Sequence, residues 1–296
     1  MKQNELAPIA LFVYNRLEQC IHTIRKLQNN YLANKTALYV FSDGARTKID
    51  ESKISQIRCF LKTIEGFKEI SIIESPVNKG LANSIISGVS EIMNRYGKVI
   101  VLEDDLITSP NFLNFMNQAL DYYKDNEKIH SISGYSMDLS SLKTNPLDYY
   151  VGLRATSWGW ATWDKVWQEV DWEVNTYPEF KASIKSQFKL FQIGSDMPRM
   201  LRHQMNGKID SWAIRWCYHQ FLNKSYTIFP TISKVQNIGF GGQATHTIKG
   251  SRFKTTLDKG EQTNFDFNQN CIPDSQIIKE FRRKYSISAR AKERFL

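Results

Sequence analysis

The 296-residue sequence predicts an α/β protein built on a mostly parallel sheet with helices on both faces, and three observations carry that expectation. Short apolar or β-rich runs alternate with stretches of helical spacing, the pattern of strands joined by crossover helices. Each of the first four runs ends in polar residues, so the loops along one sheet edge carry the chemistry. Composition agrees, because 42% hydrophobic residues, with 12% aromatic, supply a sizeable core.

The first run, Ile9 to Tyr14, leads into Asn15 and Arg16 and then into helical spacing from Leu17 to Asn29. The second, Ala37 to Ser42, leads into Asp43 and Gly44 and a helix over Ser52 to Thr63. After the third, Glu69 to Ser75, come Asn78, Lys79 and Gly80, and then Leu81, Ile85, Val89 and Met93 form one helical stripe. Val99 to Leu102 is wholly apolar and breaks at once into Glu103, Asp104 and Asp105. A strand buried on both faces has no place for three carboxylates, so they mark where the chain leaves the core. Ser109 and Pro110 suit an N-cap and a first helical position, and Phe112, Phe115, Met116, Ala119, Leu120 and Tyr123 make the next apolar stripe. In a parallel sheet the four polar loops share the C-terminal edge and converge on one cleft. No GxGxxG follows the first strand and no GxxxxGK[ST] occurs, which excludes the usual dinucleotide and P-loop chemistries.

Ile129 to Ser133 predicts a fifth strand, beyond which the composition changes. All seven tryptophans lie between Trp158 and Trp216. Such a cluster suits a core, but Trp158, Trp160 and Trp212 are also candidate faces for stacking a sugar acceptor. Asp210 and Ser211 stand at the N-cap of a helix that carries Trp212, Trp216 and Cys217 on one side and Arg215 and His219 on another. Tyr226 to Phe229 predicts a strand, followed by a glycine-broken loop ending at His246 and a polar stretch, about 250–270, that reads as a flexible lid or linker. The expected organisation is therefore two halves of one domain, 1–135 and 136–250, with 251–296 as a linker and basic C-terminal helix.

The formal net charge of +9 is concentrated at the C-terminal end, where Lys279, Arg282, Arg283, Lys284, Arg290, Lys292 and Arg294 face only Glu280 and Glu293. Ile277, Ile278, Phe281 and Tyr285 share a helical face there, which suits either docking on the body or rest on an anionic membrane. The basic residues show no aromatic interleaving, so nucleic acid is not an expected partner. The four cysteines form no CxxC pair, the N-terminal residues lack the apolar stretch of a signal peptide, and no apolar run approaches the ~18 residues of a membrane span. A cytoplasmic protein, peripheral at most at the inner membrane face, is the expectation.

Three chemistries fit the acids: capping and ion pairing, a divalent cation, or a division of general acid and base roles. Carboxylate oxygens suit Mg²⁺ or Mn²⁺, and on an extended backbone Glu103 and Asp105 point one way and Asp104 the other.

Taken with the loops before it, the segment GKVIVLEDDL resembles that of GT-A fold glycosyltransferases, more narrowly the inverting enzymes related to N-acetylglucosaminyltransferase I, whose DxD-type motif takes the form EDD. The likeness spans roughly Ile9 to His246 through VYNR, SDG, LEDDL, GWATW and DSWAIRW, in that order. It implies that Asp105 holds a Mn²⁺ or Mg²⁺ ion on the diphosphate of a nucleotide sugar. By the same likeness Asp104 and Glu103 contact the donor, with Asn78 and Gly80 on the donor side. Arg16 and Asp43 match the nucleobase contacts, and a carboxylate accepting the uracil N3–H would favour UDP. Asp210 falls at the catalytic base and His246 at a late contact to the metal or diphosphate. The implied reaction is an inverting transfer to a carbohydrate or glycolipid hydroxyl, in bacterial surface-polysaccharide assembly. Its rivals are a sugar-nucleotide pyrophosphorylase, whose glycine-rich loop VYNRLEQ does not resemble, and a non-catalytic carbohydrate-binding protein.

Overall fold

The computed structural model describes residues 5–239 and 251–294. The elements in chain order are β1 (Ile9–Val13), α1 (Leu17–Gln28), β2 (Ala37–Ser42), α2 (Lys48–Leu61), β3 (Glu69–Glu74), α3 (Leu81–Tyr96), β4 (Lys98–Glu103) and β5 (Leu106–Thr108). The chain continues with α4 (Phe112–Tyr123), β6 (Ile129–Ser133), β7 (Tyr149–Gly152), β8 (Trp160–Trp163), α5 (Asp164–Trp167), α6 (Tyr177–Ala182), α7 (Ile184–Ile193) and α8 (Met197–Met205). It ends with α9 (Trp212–Asn223), β9 (Tyr226–Pro230), β10 (Val235–Asn237), α10 (Ser275–Lys284) and α11 (Ile287–Arg294).

Eight strands form one twisted sheet in the order β3-β2-β1-β4-β8-β6-β9-β7. β3, β2, β1 and β4 pair in parallel, as do β6 and β9, while β8 and β7 run antiparallel to their neighbours. All five residues of β1 are buried, as expected of a central strand covered on both faces. β3 lies at an edge and exposes Glu69 and Glu74 at its two ends, charges that discourage pairing with another chain. α3 and α9 pack on one face: a Cβ on Gly88 would crowd the rings of Phe12 and Phe41, and Trp160 of β8 stacks on Trp212 of α9. On the other face, Trp163 donates from Nε1 to the Leu120 carbonyl of α4, and Asn30, just after α1, accepts from the Leu113 amide.

Element boundaries shift where local chemistry intervenes. α2 begins at Lys48 rather than near Ser52, because Thr47 and Asp50 form a reciprocal capping box. α4 begins at Phe112 rather than Pro110, since Ser109 turns its hydroxyl onto Asn111 Oδ1. The stretch expected to be a flexible lid or linker is, from residue 251 on, a strap fastened to the body. Phe253 and Phe265 are buried, Tyr135 donates to the Phe253 carbonyl, and Asn111 donates to the Gln262 carbonyl. α10 buries Ile277 and Phe281, the latter against Phe229, so the apolar face of the basic tail is spent on the body. No helix among the described residues is long and apolar enough to cross a membrane, and all four cysteines are free.

Candidate functional site

The C-terminal edge of the parallel strands carries two polar clusters, side by side. In the first, the acids leave β4 next to the loop that follows β1. Arg16 donates from Nη2 to Asp104 Oδ1 at 2.6 Å and from Nη1 to Asp105 Oδ2 at 2.8 Å. The Tyr14 amide donates to Asp104 Oδ2, and Thr23 of α1 donates to the Asp104 carbonyl. Asp104, 2% exposed, is thus held as an internal anchor of the β1–α1 loop. Among the described residues, Asp105 Oδ1 has no hydrogen-bond partner and neither does the carboxyl of Glu103.

The electrostatics follow from crowding three acids against one base. Burial, reinforced by Asp105 and Asp104 and opposed by Arg16, pushes the Glu103 carboxyl up to about 8. Burial also pushes Asp104 up to about 6, with Arg16 pulling it down. The chain returns to this cluster through β10, which pairs antiparallel with β5 directly after the acids. The Ile238 amide donates to the Asp105 carbonyl, and a Cβ on Gly239 would overlap the Asp105 carboxylate and crowd Arg16. Glycine is required there because backbone, not side chain, lies against the acid.

The second cluster corrects one expectation. Asp43 does not offer a free carboxylate to a nucleobase. Its Oδ1 accepts from the amides of Gly44 and Lys79, and its Oδ2 accepts from the Gly80 amide and Asn78 Nδ2. All four lone-pair sites of the carboxylate are therefore taken. Asn78 also donates to the Gly44 carbonyl, so the donor groups expected of Asn78 and Gly80 serve to lock the β2 and β3 loops together. A Cβ on Gly44 would overlap the Val77 backbone, which is why the loops can close this tightly. Arg58 of α2, which the sequence reading did not single out, completes the lock by donating to the Ser42, Asp43 and Ser75 carbonyls.

The tryptophans need a second correction. Trp160 is fully buried, with Trp167 at 5.5 Å and Trp212 at 4.9 Å between ring centroids, and Trp212 is only 3% exposed. Rings covered in this way are core, not platforms for a sugar. Trp158 is half-buried against Tyr135 and Phe253.

Asp210 lies just before α9, whose C-terminal end feeds β9 at the starting edge of the sheet. Trp212, at the start of α9, stacks on Trp160, which pairs with Val101 of β4, so Asp210 lies toward the edge where the acids leave β4. Its side chain is 57% exposed and pairs with Arg215 at 3.0 Å. The N-cap belongs to Ser211, whose hydroxyl accepts from the Ile214 amide. No hydrogen bond or ion pair among the described residues joins Asp210 to the acid cluster. His246 lies outside the described residues.

No three His, Cys, Asp or Glu side chains among the described residues converge as a self-sufficient metal cage. The donor set around Asp105 suits instead the kind of site Mg²⁺ and its relatives use, with one or two carboxylates and a shell completed by water and phosphate. The partnerless Oδ1 of Asp105 and the carboxyl of Glu103 are the groups that fit.

No protein-family model matches the sequence, and no curated protein matches it. Among solved structures, the fold is similar to the mannosyltransferase PcManGT from Pyrobaculum calidifontis in complex with GDP-Man and Mn²⁺. The match has 10% identity and a TM-score of 0.39, over 57% of this chain and 48% of that one. It is also similar to S. aureus TarS at 10% identity and a TM-score of 0.40, over 76% of this chain and 37% of that one. The chain thus spans less than half of either structure, and likeness this remote leaves the function to the residues themselves.

Proposed function

We propose that the chain is a GT-A type glycosyltransferase that moves a sugar from a nucleoside diphosphate donor to a hydroxyl of a carbohydrate or glycolipid. The observation that carries this reading is the joint hold of Arg16 on Asp104 and Asp105 at the C-terminal edge of a parallel sheet, where open α/β sheets bind ligands. A diphosphate needs positive charge on its oxygens, and Arg16 is the cation stationed there. Asp104, bound by the Tyr14 amide, keeps the loop in place while Arg16 turns part of its hydrogen bonding to phosphate.

Mn²⁺ or Mg²⁺, held by Asp105 with Glu103 beside it, would supply Lewis-acid stabilisation of the charge on the departing diphosphate. Asp210, exposed at the same edge, takes the proton from the acceptor hydroxyl, and the reaction is a single displacement with inversion. Arg215 orients that carboxylate through one oxygen and leaves the other for the acceptor. The donor base is open to UDP by resemblance, but Asp43 does not select it. The acceptor belongs to surface-glycan assembly at a membrane's inner face, and this too rests on the resemblance.

The test is release of nucleoside diphosphate from a panel of UDP- and GDP-sugars with Mn²⁺, with and without glycan acceptors. Acceptor-dependent release that is lost in Asp105→Asn and Asp210→Asn supports the assignment. Pyrophosphate formation would identify a pyrophosphorylase instead, and sugar binding without turnover a carbohydrate-binding protein.

A further inference from the structure

α7 has the sequence IKSQFKLFQI and turns one apolar stripe to solvent. Ile184 is 83% exposed, Phe188 60% and Phe191 41%, at the i, i+4 and i+7 spacing that places them in one row. Leu190, on the opposite side, is the buried residue that fixes the helix to the body. Exposed apolar residues scattered singly need no explanation, but three large ones in a row on one helix do.

What flanks the row identifies its partner. Lys185 and Lys189 are exposed and fall together on one flank of the helix, between the row and the body, and Lys181, exposed as well, belongs to α6 on the far side of the extended Ser183. α7 itself contains no acidic residue. Arg199 and Arg202 of the neighbouring α8 are exposed too, whereas Asp196 between the helices is already paired with Arg154. An apolar row edged by long cationic side chains is the arrangement of a helix lying in a membrane interface, with rings among the acyl chains and ammonium groups at the phosphates.

We propose that α7 docks the protein on an anionic lipid bilayer, with Ile184, Phe188 and Phe191 inserted and Lys181, Lys185 and Lys189 at the headgroups. This assigns membrane contact to the middle of the chain rather than to the basic tail, whose apolar face α10 uses against the body. The surface stands independently of the transferase reading. A protein partner or a second copy would also cover apolar residues, but the positive charge of α7 and α8, neither of which carries an acid, favours a surface of phosphates.

Flotation of the full chain with vesicles of phosphatidylcholine containing about 30% phosphatidylglycerol, against phosphatidylcholine alone, tests the assignment. Binding is expected to the anionic vesicles only, and to weaken with salt. Ile184→Ser with Phe188→Ser should lower it at least about tenfold, and Lys181→Glu with Lys185→Glu and Lys189→Glu by a similar factor. Changing Arg282 and Arg283 to Gln should leave it within about twofold. The apolar substitutions are on exposed positions, and an unchanged thermal unfolding midpoint checks that the fold survives. Absence of wild-type binding, binding that persists in both α7 variants, or loss with the tail variant would each overturn the proposal. So would a wild-type dimer that the serine variant converts to monomer without vesicles, since the row would then belong to a second copy.

Discussion

The guanidinium of Arg16 lies 2.8 Å from the carboxylate of Asp105, so the acid best placed to hold a cation already carries a compensating charge. The same guanidinium reaches Asp104, which is almost wholly buried. Arg16 therefore has two roles that substitution separates. Arg16→Ala strips the counter-charge from a buried acid and is expected to cost about 2–4 kcal/mol, read as a lower unfolding midpoint. Asp104→Asn in that background should recover part of the loss, because the acid that needed neutralising is gone. Recovery would not extend to donor binding.

Gly239→Ala places a methyl group on the Asp105 carboxylate and against Arg16. The expected result is loss of Mn²⁺-dependent nucleotide binding of at least about tenfold, with a smaller effect on stability, measured by titration calorimetry and thermal unfolding. Unchanged nucleotide affinity would show that this approach of backbone to acid has no part in the site.

Asp43 gives a prediction of the opposite kind. Removal of its carboxylate leaves the amides of Gly44, Lys79 and Gly80 without an acceptor, at roughly 1–3 kcal/mol of desolvation for each group that water does not reach. Asp43→Ala should therefore lower stability and raise hydrogen exchange in the loop after β3. Asp43→Asn keeps the acceptor oxygen, Oδ1, and should be milder.

The six parallel strands were legible in the sequence because each is an apolar run closed by polar residues. β8 was not, since Trp160–Trp163 is only four residues long and its tryptophans drew attention as a cluster rather than as strand positions. β5 and β10 have three residues each and exist through pairing with one another, which no local pattern announces. At the site, the exit of Glu103, Asp104 and Asp105 from a buried strand was readable from residue type alone. The partners of Asp43 were not, because all but the adjacent Gly44 amide sit 35 to 37 residues away, and three of the four are backbone amides. Trp160 and Trp212, more readily core than platform by their density in the sequence, kept both readings until packing showed their faces covered.

His219 lies under the ring of Trp216 and beside His130, and burial, helped by His130, lowers it to about 4. The unfolded chain, with an imidazole near 6.5, binds a proton that the folded chain refuses. Stability is therefore full above about pH 6.5 and declines as the pH falls toward 4, by an amount of order 2 kcal/mol. His219→Gln should flatten this acid limb in denaturant titrations run between those values.

The place of β8 sets an order on synthesis. β4 and β6 are not neighbours; β8, from later in the chain, lies between them and bonds to both. A ribosome that has released the chain through α4 has exposed β4 with one edge bare, and no earlier segment covers it. That edge closes only when residues 160–163 emerge, and the acids at its end wait longer still, for β10 to reach β5. The half of the protein that carries the acidic triplet is thus the first made, and its site is among the last parts to be assembled.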